Sequence, residues 1–396
     1  MTTLRNDAGS LLTDLVTLRR AIHADPEIGL QLPNTQRRIL DALEGLPLEI
    51  TLGKDLTSVT AVLRGSSPGP LVLLRGDMDA LPIDEQSGEP FASTNGAMHA
   101  CGHDLHVAGL VGAARLLCAR RDELAGDVLF MFQPGEEGDD GAGEMIAEGV
   151  LEVAGRHPDA AYGLHVMAGV APPGVFAGRP GPFMASADEI HLRVLGAGGH
   201  GSTPFLARDP VPVLCEIVLA LQTMVTRQFD IFDPVVLTVG RIAAGTKENI
   251  IPDEARLDAT IRTFTPETRD RIQASASKLC TTIAEAHGLT VDLNYHRSYP
   301  PTVNDVDEAA FLADTVKDVF GEDRWLPMPD PHPGAEDFSR ILEAVPGSYV
   351  FFGTCATGDH TTAPSNHAST ARFDDQWLAD GATLLAELAI RRMARG

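Results

Sequence analysis

Between residues 58 and 166 the chain alternates short, almost continuously apolar runs with segments of helical periodicity, and few folds accept that order. Residues 71–75 and 127–132 lack the in–out alternation of a half-exposed strand. They read instead as strands covered on both faces, as in a parallel sheet. Residues 58–63 and 161–166 are expected to be further strands of the same layer. Helices are expected over 11–24, 105–117 and 142–149. The fold class that follows is α/β, a mixed or parallel sheet flanked by helices.

The pattern changes after Arg179, Pro180, Gly181 and Pro182. Strands are expected at 189–195, 235–242, 256–264 and 290–295, with helices at 211–228 and 267–287. That order, β-α-β-β-α-β, is the ferredoxin-like arrangement. The α/β character returns with a helix at 308–320, a strand at 348–353 and a closing helix from 375. At 396 residues the chain exceeds what one compact core holds, so two domains are expected. We therefore read a discontinuous catalytic domain over 1–183 and 298–396. An inserted α+β domain, serving dimerisation or as a lid, occupies 184–297. Residues 327–333, with four prolines, read as a loop.

Composition narrows the partners. Lys and Arg number 31 against 55 Asp and Glu, a net charge of −24 with no basic block, which argues against nucleic acid. No apolar run is expected to reach the ~18 residues that span a bilayer, so no membrane partner is expected. Arg5, Asn6 and Asp7 stand where an export signal needs apolar residues. Five cysteines are too sparse for a disulfide framework, so a reduced, cytoplasmic setting is expected.

Candidate chemistry gathers at the ends of the expected strands. Cys101, Gly102 and His103, followed by Asp104 and His106, open a helix, and a thiolate and an imidazole turned toward one point suit a divalent ion. The plainer explanation is a buried thiol beside a helix-capping Asp104. Glu136 and Glu137 follow a strand in a Gly-rich turn, where one carboxylate can ligate while the other acts as general base. Alone, they could equally be a solvated acidic turn. His165 ends an apolar strand and His367 lies in a loop before the last helix. A core histidine and a surface histidine are their bland alternatives. Asp77 and Asp79 follow another strand and could orient metal-bound histidines from behind. The combined set favours a ligand site, because open α/β sheets bind at the carboxyl ends of their strands.

These stretches resemble the M20 family of metallopeptidases and amidohydrolases. The similar branch holds hippurate hydrolases, N-acyl-amino-acid aminoacylases and auxin-conjugate hydrolases. The matching residues run in order: Ile22 to Gly29, Asp77 to Pro82, His99 to Asp104, Gln133 to Glu137, Gly163 to Val166, Gly198 to Gly201, Asn249 to Pro252, Ala335 to Phe338, and Asn366 with His367. The Cys-Gly-His-Asp element is the most discriminating, since other M20 branches use a bridging Asp where this one has Cys.

The resemblance implies Cys101, His103, Glu137, His165 and His367 as ligands of two divalent ions (Mn, Zn or Co), with Cys101 bridging. Glu136 would be the general base on a metal-bridging water, and Asp79 would support the ligands. His200, in the inserted domain, would stabilise the oxyanion in a partner subunit, which implies a homodimer. Asn249 and Arg262 would hold the substrate carboxylate. The implied reaction is hydrolysis of N-acyl or N-aroyl amino acids to a carboxylic acid and a free amino acid. A dipeptidase or carboxypeptidase, or a deacetylase of an N-acetylated amino-acid intermediate, is the alternative. His360, near His367, has no assigned role. Ser202, Thr203, Pro204 and Phe205 depart from the polar turn of relatives.

Overall fold

The computed structural model describes residues 3–395. From the N-terminus, α1 (Thr3–His23) and α2 (Pro33–Leu43) precede β1 (Glu49–Leu52), β2 (Val59–Leu63) and β3 (Ser67–Asp77). Then come α3 (His103–Cys118), β4 (Ala125–Gln133), α4 (Gly141–Ala147), β5 (Ala160–Met167) and β6 (Phe176–Gly178). A second stretch holds β7 (Asp188–Leu195), α5 (Pro210–Gln228), β8 (Val236–Ala244), β9 (Glu254–Arg262), α6 (Pro266–Ala286) and β10 (Thr290–Arg297). The chain closes with α7 (Val306–Phe320), β11 (Trp325–Pro327), α8 (Ser339–Ala344), β12 (Gly347–Gly353) and α9 (Leu378–Arg395).

Contacts divide the chain into two compact units. The larger comprises Met1–Gly181, Val303–Asp330 and Asp337–Gly396, and the smaller Pro182–Thr302 with Pro331–Glu336. The smaller unit is thus slightly wider than 184–297 and takes in part of the proline-rich loop.

The larger unit is built on an eight-stranded mixed sheet in the order β1-β2-β4-β3-β5-β12-β6-β11. The central neighbours β4, β3, β5 and β12 are parallel, and their side chains are buried on both faces, which explains the unbroken apolar runs. On α1, Leu4, Ala8, Leu15, Arg19 and Ile22 recur at helical spacing and are buried. Almost every residue of α3 is buried.

The smaller unit is a four-stranded antiparallel sheet in the order β8-β9-β7-β10, the ferredoxin-like topology. Along β7, Ile190, Leu192 and Val194 face the core while Glu189, His191 and Arg193 face outward. The inner face is covered by α5 and α6, capped at their N-termini by Asp209 and Thr265. Among the described residues, α5 alone is long and apolar enough by composition to cross a membrane, with a mean hydropathy of 1.3 over 18 residues, although Glu216, Gln222 and Thr223 interrupt its apolar run. Its apolarity has a local cause, since Val213, Leu214, Ile217, Leu221 and Met224 pack into this unit's own core.

The stretch from Ile22 to Gly29 contributes a buried charge cluster to the larger unit. His23 Nδ1 lies 2.8 Å from Asp104 Oδ2 and its Nε2 3.0 Å from Glu85 Oε1. Arg19 Nε sits 2.6 Å from Asp104 Oδ2. Burial pulls the His23 imidazole toward neutrality, but Asp104 and Glu85 outweigh it and raise the pKa from 6.5 to about 9. The sign follows from linkage. Stabilisation from His23 is complete below pH 6.5, where both folded and unfolded chains bind the proton, and is lost as pH rises through about 9. The expected loss is on the order of 3 kcal/mol. Denaturant unfolding at pH 6 and pH 9.5 measures it, and His23→Gln should flatten the difference. An equal pH dependence in that variant would remove His23 as its source.

Candidate active site

Because β4, β3, β5 and β12 run parallel, their carboxyl ends share one edge of the sheet, and the expected site residues lie there. Asp79 follows β3, Glu136 and Glu137 follow β4, and His165 stands near the end of β5. His103 is the first residue of α3. Between Cys101 and His103, Gly102 adopts φ 83°, and a Cβ there would stand 2.4 Å from Val166 Cγ2. Only glycine makes this left-handed turn, which points its two neighbours at one place. Gly135 does the same before the acidic pair, with φ 75° and a would-be Cβ contact of 2.4 Å to Leu30.

His367 has φ 69°, a left-handed backbone that costs a non-glycine residue about 1 kcal/mol or more. Its neighbours hold it there. The His367 N–H donates to Ala100 O at 2.9 Å. The Asn366 amide donates to Val166 O at 3.0 Å and to Cys101 O at 3.3 Å, and accepts from Ala168 N at 3.0 Å.

Cys101 Sγ lies 3.3 Å from His165 Nε2 and 3.3 Å from His367 Nε2, although Cys101 and His367 are 266 residues apart. Glu137 Oε1 is 3.1 Å from His367 Nε2 and 4.0 Å from His103 Nε2. Two donor triads result, Cys101 with His103 and His165, and Cys101 with Glu137 and His367; the donors within each lie within 4.8 Å of one another. Cys101 belongs to both. Glu136, buried, forms a further group with His103 and Glu137.

The histidine tautomers suit ligation. His103 Nδ1 donates to the Asp79 main-chain oxygen at 2.9 Å and His165 Nδ1 to Val166 O at 2.8 Å. A carbonyl only accepts, so each Nδ1 carries a proton; His165, kept neutral by burial, turns its Nε2 lone pair to the cluster, and His103 does so once an ion displaces its second proton. Asp79 Oδ2 accepts the Glu137 N–H at 2.9 Å, tying the acidic turn to the end of β3.

The residues fit a pair of divalent ions. His103 Nε2 is buried without a hydrogen bond, an arrangement that costs about 1–3 kcal/mol unless a cation serves as partner. Mixed S, N and O donors are those of zinc-like ions. The charge balance agrees. Burial alone would keep His103 neutral, yet Asp77 and Asp79 hold its pKa well above 6.5. Hydrogen bonds to Cys101 and Glu137 raise His367 to about 10. Burial raises the Cys101 thiol, and Glu137 is lowered against burial by His367 and His103. The cluster attracts protons where positive charge is wanted, and a metal ion competes for the same place.

Three groups behind the cluster carry weight that their sequence positions did not announce. Arg75, fully buried, donates to Asp77 at 2.5 Å, Asp337 at 2.9 Å, Gln133 at 2.9 Å and Tyr349 at 3.1 Å. Asn366 joins three loops, and His106 packs beside His165. An arginine inside an apolar strand was one signal; His106 and Asn366 stood within stretches already singled out, but nothing local showed what their side chains hold. His99 is buried and held neutral by burial, its pKa down to about 3, and neither it nor His360 belongs to a ligand group among the described residues.

His200, Asn249 and Arg262 belong to the smaller unit. A two-stranded ribbon pairs Gly199–His200 with Ile250–Ile251, and Gly201 N donates to Asn249 O at 2.8 Å, so His200 and Asn249 sit together. Arg262 ends β9, its guanidinium on Thr260 and Ile261 O, and burial lowers its pKa.

The chain matches the model of peptidase family M20/M25/M40 over residues 73–391. It is 37% identical over 393 residues to thermostable carboxypeptidase 1 of Saccharolobus solfataricus, covering 98% of each chain. Against N-acetylcysteine deacetylase of Bacillus subtilis it is 34% identical over 380 residues, covering 96% of each. Its fold matches the Bacillus subtilis YXEP protein, described as a dinuclear metal binding peptidase, with TM-score 0.83 and 31% identity over 98% of this chain and 99% of that one.

Proposed function

Because the chain belongs to peptidase family M20/M25/M40, hydrolases of amide bonds, we propose that it cleaves N-acyl or N-aroyl amino acids, hippurate-like compounds among them. The products are a carboxylic acid and a free amino acid. The observation that carries this reading is the sharing of Cys101 by two donor triads with Glu136 beside them. Cys101, His103 and His165 would hold one divalent ion, and Cys101, Glu137 and His367 the other. When bound, such ions lower the pKa of water and polarise a carbonyl; manganese, zinc and cobalt all suit these donors.

The chain's own residues supply the rest. Glu136 takes a proton from the attacking water and passes it to the departing nitrogen, which must leave as an amine. Asp79 keeps His103 and the Glu137 turn in place. His200 donates to the oxyanion: its Nδ1 accepts the Ser202 N–H at 3.1 Å, which puts its own proton on Nε2. Asn249 and Arg262 bind the substrate carboxylate.

The names of two relatives, a carboxypeptidase and a deacetylase, favour a second reading in which dipeptides or N-acetyl amino acids are preferred. A panel of N-acetyl, N-benzoyl and long-chain acyl amino acids against dipeptides, with added manganese, separates the readings. Hydrolysis of none of them would overturn both. All five cysteines are free thiols, which supports a reducing compartment such as the cytoplasm.

A homodimer through the smaller unit belongs to the same proposal. Its edge strand β8 carries exposed Val236 and Ile242, and Leu219 on α5 is 70% exposed. His200→Ala should lower kcat about 10²–10³-fold with metal content unchanged. A co-expressed dimer of Glu136→Ala and His200→Ala chains decides whose site His200 serves. Action across the dimer leaves one intact site, about half the wild-type rate; action within one chain leaves none.

A further inference from the structure

His106 lies one turn into α3, three residues past His103, outside both triads that share Cys101; its donor atoms group instead with Asp77 and His103. Its ring is buried, 3% exposed, and both nitrogens are engaged. Nδ1 bonds Asp77 Oδ1, and Nε2 accepts the main-chain N–H of Val166 at 2.8 Å. A main-chain N–H can only donate. The proton of His106 therefore resides on Nδ1 and is donated to Asp77, and the ring is neutral in this arrangement.

The backbone explains why this bond is needed. Along β5 the pairing with β3 ends at Gly163, opposite Arg75. The Val166 N–H consequently has no partner on β3, and a buried N–H must be satisfied somewhere. His106 replaces the missing strand. The same Val166 presents its carbonyl, in the next peptide unit, to His165 Nδ1 at 2.8 Å, so the residue that His106 grips by its N–H is the one whose carbonyl sets the His165 tautomer. The two rings meet edge to face, with centroids 4.8 Å apart. On the far side Asp77 is anchored by Arg75 at 2.5 Å, itself fastened to Asp337 and Gln133.

We infer that His106 is a positioning residue whose Nε2, accepting from Val166, aims His165 at the ion shared with Cys101 and His103. It neither ligates nor transfers a proton. The inference rests on the di-metal reading proposed above and adds that the two ions depend unequally on His106. The ion held by His165 needs it, and the one held by Glu137 and His367 does not.

The test uses the full chain, stripped by a chelator and titrated with cobalt(II), following the thiolate charge-transfer absorbance and the number of ions bound. His106→Leu should weaken one of the two ions about 10–100-fold and leave the other within a few-fold. His106→Gln, whose amide oxygen reaches the Nε2 position, should recover most of that loss. His106→Asn, which reaches only the Nδ1 position, should not. Equal affinities in wild type and His106→Leu would overturn the proposal. So would loss of both ions together, or failure of Gln to outperform Asn when the metal-free variants melt alike. A ¹⁵N–¹H correlation on the metal-free protein gives an independent reading: Nδ1 protonated and Nε2 bare is expected, and the opposite tautomer refutes the clamp. If the wild type binds no cobalt, the di-metal reading fails, and with it the unequal dependence of the ions on His106.

Discussion

Glu136→Gln should reduce hydrolysis by about 10²–10⁴-fold while the protein still binds two ions and melts at an unchanged temperature. The substitution keeps the volume and polarity of a buried side chain and removes only its capacity to take a proton. General-base catalysis contributes factors of that size, about 3–5 kcal/mol of barrier. The placement of Glu136 supports its proposed role as base rather than ligand. It groups with His103 and Glu137 but shares no donor triad with Cys101, to which both candidate ions are referred. A base acts only as the reaction proceeds, so kcat and kcat/KM should fall together while KM stays nearly constant. Metal analysis beside steady-state kinetics decides the matter. Full activity in the variant would remove Glu136 from the mechanism, and loss of one ion would make it a ligand.

The legible parts of this fold were those where one physical demand acts on consecutive residues. β3, β4 and β5 are buried on both faces, so their composition is nearly all apolar, and their positions could be read within a few residues. In the smaller unit, β7 and β9 alternate because only one face is covered. Where burial is sparse the pattern is silent. β1 is exposed along its whole length, and α2 buries only Thr35, Ile39 and Leu43. Neither was expected: β1 is held by its ladder with β2 and has no buried face, and α2 is short, its core contact resting on Ile39 and Leu43 with Thr35 one turn earlier. The start of α1 was placed too late because its first turns bury only Leu4 and Ala8.

The site divides in the same way. Candidate ligands are confined to Cys, His, Asp and Glu, so Cys101, His103, Glu137, His165 and His367 could be picked out as a set at the strand ends. The groups that aim them act through the fold. Asn366 reaches Cys101 O across 265 positions, and His106 meets Val166 across 60. No local pattern encodes contacts of that range. The charge buried at Arg75 in an otherwise apolar strand was the exception, because such a residue is tolerated only where partners await it.

Cys101→Ala should have the largest consequence of any single change at the site, the loss of both ions and of all measurable hydrolysis. Each triad would retain two ligands, His103 with His165, or Glu137 with His367, and each ion would lose the one donor it shares with the other. Supporting residues alone typically account for 10–100-fold in affinity, so removing a common donor should cost each ion more than ~100-fold. His165→Ala, by contrast, should remove one ion and leave the second bound. The comparison separates a shared ligand from two independent sites: a Cys101→Ala protein that keeps one tight ion would show that the thiolate serves a single metal. Cys101→Asp should restore binding, because a carboxylate can also bridge, while the thiolate–cobalt absorbance disappears in every Cys101 variant. Proton release supplies a further check. Burial raises the pKa of the metal-free Cys101 thiol, Asp77 and Asp79 keep His103 protonated, and Cys101 with Glu137 keeps His367 so; ion uptake must therefore expel protons from these groups. Affinity should therefore weaken on acidification in the wild type, and a titration in weak buffer should release fewer protons in Cys101→Asp, whose carboxylate is already ionised.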